Sequence, residues 1–290
     1  MSGFDLNVSD SAVGAEIIGL NLSQGIEDAT FAEVEDAFNK HSVVVIRDQA
    51  LTPQQLVEFS TRFGTPQINV RSEVNRSETP EVMLISNVME RGKPVGSQDA
   101  GRYWHSDLCY LEKPSKVTLL NAIEVPEKEG KVFGDTMFAG VAAAYDALSE
   151  AQKRDLAPLM AANGYRYMWN KKVHEFGQRP PLTDEELKKY PPDAIHPLIR
   201  THPITGRKCI FVCEGYTHAI VGMSEQEGWD VLEDLFAHII RTEFRYTHSW
   251  RAGDLLMWDN CAVQHKATSD FSLPLRRLMQ RCTVEGSTSF

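Results

Sequence analysis

The stretch Tyr103-Trp104-His105-Ser106-Asp107 decides how the rest of this chain is read. A His and an Asp two apart on an extended segment point their side chains to the same side. Held that way, an imidazole and a carboxylate can grip one metal ion. Two ligands are too few for a stable site, so a third is expected downstream. His265, at the end of Trp258-Asp259-Asn260-Cys261-Ala262-Val263-Gln264-His265, is the candidate. Two His and one carboxylate that leave one face of the ion open form the facial triad of non-heme Fe(II) oxygenases. A lone His-x-Asp also fits a solvated turn, so its surroundings carry the decision.

Those surroundings include Leu275-Arg276-Arg277-Leu278-Met279-Gln280-Arg281. An apolar strand with spaced guanidinium groups suits a dicarboxylate, because Arg grips a carboxylate with two parallel hydrogen bonds. On a strand Arg277 and Arg281 share a side, and Arg276 faces the other way as an outer-surface charge.

Composition narrows the class. The formal net charge of -10 argues against nucleic acid or an anionic membrane as partner, since both select basic surfaces. An anion site must then be built locally from a few Arg. The five Cys are odd in number and contain no CxxC, so neither a disulfide framework nor a zinc ribbon is indicated. Reduced thiols in a cytoplasmic protein are the simplest account. No signal-peptide pattern and no membrane-length apolar run is found.

Along the chain, short β-branched runs alternate with turns and a few helices. Strands are expected at Ala15 to Leu20, Ser42 to Arg47, Val82 to Val88, the 103–107 stretch and Ser115 to Val125. More follow from Ile199, at Cys209 to Val212, and at Phe244 to Trp250, Leu255 to Trp258 and Leu278 to Val284. Capping boxes predict helix starts at Thr30/Glu33, Thr52/Gln55, Ser149/Gln152 and Ser224/Glu227. A helix is also expected near 138–147 and a short one within 184–189. Residues 65–80 read as a polar loop and 165–200 as irregular. Many short strands with outer helices make a mainly β fold, a sandwich or jelly roll.

With these residues in place, the chain resembles the taurine dioxygenase/2,4-D dioxygenase (TauD/TfdA) family of Fe(II)- and 2-oxoglutarate-dependent oxygenases. Trp104-His105-Ser106-Asp107, Gly134-Asp135-Thr136, Thr201-His202-Pro203 with Thr205-Gly206-Arg207, Gly253-Asp254, Trp258-Asp259-Asn260, His265 and Arg277 stand in the family's order from about Val43 to Thr283. The resemblance implies a double-stranded β-helix (jelly roll, cupin-like) and one domain over 1–290, with an insertion around 150–200. It implies Fe(II) on His105, Asp107 and His265, with 2-oxoglutarate as co-substrate and O2 as oxidant. Arg277 matches the residue that binds the distal carboxylate of 2-oxoglutarate, and Thr136 its hydroxyl partner. Arg281 matches an Arg that binds the anionic substrate in some members and the co-substrate in others; an ion pair with Asp or Glu is the structural alternative. His202 is read as structural, and Trp258-Asp259-Asn260 as ordering the turn before His265.

Members acting on taurine carry an Asn where this chain has Gly101, and a His in the loop corresponding to 65–80, which here has none. Tyr103, Asn69, Arg71 and Asn75 are therefore the polar candidates for a different substrate, a small and anionic organic acid. Relatives imply a homo-oligomer, a dimer or tetramer. Two other readings stay open: a catalytically silent protein that binds metal and 2-oxoglutarate, and a cupin-type zinc hydrolase, in which Arg277 and Thr136 would have no role.

Overall fold

The computed structural model describes residues 3–68, 78–98, 100–177 and 180–288. Its strands up to the middle of the chain are β1 (Asp5–Val8), β2 (Ala15–Ile18), β3 (Val43–Ile46), β4 (Met83–Ser86), β5 (Ser115–Glu124) and β6 (Thr136–Gly140). Next come β7 (Met160–Asn163), β8 (Ala194–Pro197), β9 (Ile199–Thr201), β10 (Lys208–Ile210) and β11 (Thr217–Ile220). The chain closes with β12 (Arg245–His248), β13 (Leu255–Asp259), β14 (Val263–Ala267) and β15 (Leu278–Glu285). The main sheet has the order β1-β2-β3-β13-β5-β15-β4. A three-stranded sheet, β12-β6-β14, faces it.

The central strands are apolar on both faces because both are covered. Val44, Ile46, Val117, Leu119, Leu255 and Met257 point into one core. Val43, Val45, Leu120, Ala122, Leu256 and Trp258 point into another, shared with Phe138 and Val263 of the small sheet. Helices α1 (Asp28–His41) and α2 (Pro53–Thr61) close the outer face, where Phe31, Phe38, Phe59 and Phe63 meet edge to face.

Between β6 and β12 lie α3 (Val141–Asp146), α4 (Glu150–Leu156), α5 (Tyr165–Phe176), α6 (Asp184–Leu187) and α7 (Glu225–Ile239). The sheet β8-β7-β11 and the pair β9-β10 lie in the same part of the chain. The molecule is thus strand-rich with helices packed outside. Among the described residues no helix is long and apolar enough to cross a membrane. All five Cys are buried thiols.

The capping boxes at Thr52, Ser149 and Ser224 are present as expected. The one at Thr30 is not: α1 starts earlier, after Glu27, with Asp28 in the first turn. Asp28 near the positive end of the helix stabilises that earlier start. Residues 165–200 are not irregular throughout, because α5 runs for 12 residues between Gly164 and a left-handed Gly177. The helix expected from 138 starts only at Val141, and Thr136 to Gly140 is strand, since Phe138 is needed opposite His265.

Candidate active site

The segment carrying His105 and Asp107 is not a strand. It is an irregular turn that touches the sheet once, through an antiparallel bridge between His105 and His265. The two residues exchange both backbone hydrogen bonds, at 3.1 and 2.8 Å. His265 lies in the middle of β14, so this bridge fixes one imidazole against the other; their ring centres are 4.1 Å apart. Leu108 then takes a left-handed φ of 54°, and the chain turns sharply just after Asp107.

The three side chains converge. Nε2 of His105 lies 3.6 Å from Oδ1 of Asp107, and Nε2 of His265 lies 3.8 Å from its Oδ2. These distances are too long for hydrogen bonds. They suit donors that share an ion: two atoms each ~2.1 Å from one metal stand roughly 3.0–3.5 Å apart. Nδ1 of His105 lies 2.9 Å from the carbonyl oxygen of Tyr103, which fixes a tautomer with the Nε2 lone pair facing inward. All three residues are buried. A set of two nitrogens and one carboxylate oxygen with no thiolate fits Fe(II).

Asp107 is gripped from its own side of the sheet. Its N–H donates to Oδ1 of Asn260 at 3.0 Å, and Thr118 Oγ1 donates to its Oδ2 at 2.7 Å. Asn260 Nδ2 in turn donates to Thr118 Oγ1 at 2.9 Å, and Ser106 Oγ donates to the Asn260 carbonyl at 2.6 Å. Burial alone would push the Asp107 carboxyl up, yet the guanidinium of Arg281, 3.3 Å from Oδ1, holds it well below the usual carboxylate range. His265 is driven the other way. Burial, then the neighbouring His105, push it well below the usual imidazole range, so it stays neutral. An anionic carboxylate beside a neutral imidazole is the protonation state metal ligation requires.

Arg277 is buried, 6% exposed, and no carboxylate forms an ion pair with it among the described residues. Burial pushes its pKa down to about 10, against the opposing pull of Asp270 and Asp135. The guanidinium packs by the rings of Trp250 and Phe271, at 5.8 and 5.9 Å. Trp250 Nε1 donates to Thr136 Oγ1 at 3.1 Å, so Trp250 ties Thr136 to the Arg277 pocket. A groove of ≈ 530 Å³ lined by Asn87, Arg102, Thr268, Phe271 and Leu273 reaches Arg277. Arg276 pairs with Glu124 on the surface, as its opposite facing predicts.

The remaining candidates divide. The Tyr103 hydroxyl donates to Glu175 of α5 at 2.6 Å, and Lys171 sits over its ring, so that side chain ties the turn to α5. Asn69, Arg71 and Asn75 lie outside the described residues. His202 is held in place: Nε2 meets Asp259 Oδ2 at 2.6 Å, and Nδ1 accepts from the N–H groups of Ile204 and Thr205. His196, His218, His238 and His248 each hydrogen-bond to a carbonyl or carboxylate oxygen, as satisfied or surface histidines should. The roles of Thr118 and Trp250 were not visible in the sequence. Each acts through a partner more than ten residues away, and no spacing signals that.

Residues 5–283 match the family described as taurine catabolism dioxygenase TauD, TfdA family. An alpha-ketoglutarate-dependent 2,4-dichlorophenoxyacetate dioxygenase of Burkholderia sp. (strain RASC) is 32% identical over 284 residues, covering 93% of this chain and 91% of the relative. Pentalenolactone F synthase of Streptomyces arenae is 28% identical, covering 94% and 92%. Among solved structures, AAD-2 in complex with Mn(II) and N-oxalylglycine superposes with a TM-score of 0.82 at 29% identity, covering 99% of this chain and 98% of that one. A taurine dioxygenase from Burkholderia xenovorans gives 0.81 at 28% identity, covering 99% and 91%. The chain therefore belongs to the TauD/TfdA family and is an oxidoreductase, a 2-oxoglutarate-dependent dioxygenase that works with Fe(II) and O2.

Proposed function

We propose that this dioxygenase hydroxylates a small, anionic organic substrate, with His105, Asp107 and His265 as the iron ligands and Arg277 with Thr136 as the seat of 2-oxoglutarate. The observation that carries the reading is Arg277: a buried guanidinium with no counter-ion among the described residues, in a groove also lined by Ala267, two residues beyond His265. A buried charge is costly unless paired, and a diacid reaching from the metal to Arg277 would pair it. When bound, Fe(II) with 2-oxoglutarate and O2 supplies the oxidation: the diacid becomes succinate and CO2 while a substrate C–H becomes C–OH.

The residues of the chain do the rest. Asp107 stays ionised through Arg281, and Thr118 and Asn260 fix its orientation. His105 keeps Nε2 inward through Tyr103. The Trp258 and Phe138 rings flank His265 and keep water from that side. Arg281 is ion-paired to Asp107, the structural alternative expected for it, and would offer a substrate's negative charge only the N–H groups this pair leaves over. The facing sheets are read as a double-stranded β-helix of the jelly-roll, cupin-like kind, and residues 1–290 as one domain with its insertion around 150–200. Relatives acting on 2,4-dichlorophenoxyacetate and on phenoxypropionate support an organic acid as substrate.

The test is O2 uptake and succinate formation across a panel of small organic acids, with and without 2-oxoglutarate. Acid-dependent succinate is the expected result. Turnover in His105→Ala equal to that of the parent would remove the iron assignment, and turnover without 2-oxoglutarate would remove the co-substrate.

A further inference from the structure

A second buried Arg poses the same problem on another face of the fold. Arg200, in β9, is 4% exposed. Its Nε and Nη1 have no hydrogen-bond partner, and its guanidinium lies over the ring of Phe211, 4.4 Å away. It lines a cavity of ≈ 250 Å³ together with Phe38, Lys116, His202, Ile204 and Asp259. That volume has room for about eight waters and falls just short of the ~300 Å³ of typical small-molecule sites.

The other charged groups around the cavity are already engaged. Asp259 Oδ2 takes the His202 hydrogen bond and its Oδ1 accepts from the N–H of Cys261. Lys116 donates to the carbonyl of Phe63 at 3.1 Å. Glu285 pairs with Lys113 at 3.4 Å. Among the described residues neither Lys116 nor Arg200 has a carboxylate partner, but only Arg200 keeps buried N–H groups with no acceptor. His202, Asp259 and Cys261 have the composition of a metal site, but both His202 nitrogens are hydrogen-bonded and a guanidinium stands beside them, which opposes a cation.

We propose that this cavity is a second ligand site, for a monocarboxylate with an apolar body. One unpaired guanidinium matches one carboxylate in a two-pronged contact. Phe38, Pro114, Pro203 and Ile204 supply apolar walls, and the buried carboxylate of Asp259 with that of Glu285 at the rim disfavours a dianion such as phosphate. The site is separate from the Arg277 pocket but linked to it in the chain, because Asp259 precedes Asn260, which holds Asp107.

Calorimetric titration of the full chain with benzoate, in the presence of Mn(II) and saturating 2-oxoglutarate, tests this. Saturable binding is expected, weakened about tenfold or more in Arg200→Met, as loss of a charged hydrogen-bond pair predicts. Ile204→Trp, which fills the exposed mouth without touching Arg200, should weaken binding similarly and covers the case that Arg200→Met fails to fold. Arg277→Met should leave it unchanged. Binding kept undiminished in Arg200→Met would overturn the proposal, whichever other site then holds the benzoate, as would no saturable binding up to ~10 mM. Inorganic phosphate bound through Arg200 with benzoate excluded would overturn the choice of a carboxylate.

Discussion

Two buried clusters in this molecule have nearly the same composition and opposite physics. His105, Asp107 and His265 form one; His202, Asp259 and Cys261 form the other. In the second, His202 and Asp259 are 2.6 Å apart and both imidazole nitrogens are bonded. In the first, each imidazole stands 3.6 or 3.8 Å from the carboxylate, and His265 Nδ1 has no partner. Closure to a hydrogen bond satisfies a buried His–Asp pair and makes it a structural lock. A pair held just beyond that distance, with its donors aimed at one point, is left needing a cation. Residue type alone does not separate a metal centre from a lock; unsatisfied geometry does.

The largest expected effect breaks the first cluster. His105→Ala should lower succinate formation by more than the ~100-fold that loss of a ligand's hydrogen-bond partner costs, and should lower metal stoichiometry measured by plasma emission. Its stability should also fall, by about 1–3 kcal/mol, because the buried Tyr103 carbonyl loses its partner and the ring leaves a cavity. Arg277→Met comes next. Losing one charge-assisted contact should raise the KM for 2-oxoglutarate about 10- to 100-fold at similar metal content. An unchanged KM would show that the diacid does not reach Arg277. In the lock, stability and metal content should separate. Asp259→Asn is expected to cost about 2 kcal/mol in urea unfolding, since a buried charged hydrogen bond is weakened, with one metal still bound per chain.

The convergence of His105, Asp107 and His265 was legible because its pattern is written locally: a His and an Asp two apart, then a His at the end of a turn-and-strand motif. Its supports were less so. Asn260 could be read as ordering a turn near His265, but its grip on Asp107 spans 153 residues and appears only once β13 is folded against β5. The strand reading of 103–107 failed for a related reason. A single bridge to His265, followed by the left-handed Leu108, does the positioning that a strand was expected to do. The sheet was legible where short unbroken β-branched runs are buried on both faces, as in Val43 to Ile46. Strand β6 was not, because Ala139-Gly140-Val141-Ala142-Ala143-Ala144 carries helix-forming residues across the boundary, and only pairing with His265 decides where the strand ends. Helix α5 lacks a side-chain cap and was hidden by the prolines after it.

A third buried pair sharpens the distinction through acid. His248 Nε2 lies 3.1 Å from Asp254 Oδ2, which also accepts from Arg47 at 2.7 Å and from the N–H of Arg251. Burial would raise the Asp254 carboxyl, but His248, the Arg251 N–H and Arg47 hold it below its ordinary 3.8. His248 is held below its ordinary 6.5, by burial first. Both shifts leave the unfolded chain holding more protons, so both make stability rise with pH. The His248 part should fade as pH falls below 6.5, and the Asp254 part below 3.8. Each can contribute a slope of up to about 1.4 kcal/mol per pH unit. Urea unfolding followed from neutral pH downward should therefore show two windows in the parent, with the lower one reduced but not removed in Asp254→Asn, because Asp107 is also held below the usual carboxylate range. A lower window of undiminished size in that variant would assign it to other carboxylates. The lock would then rest on hydrogen-bond geometry rather than on the charge of its aspartate, as Asp107 cannot if it is to hold a cation.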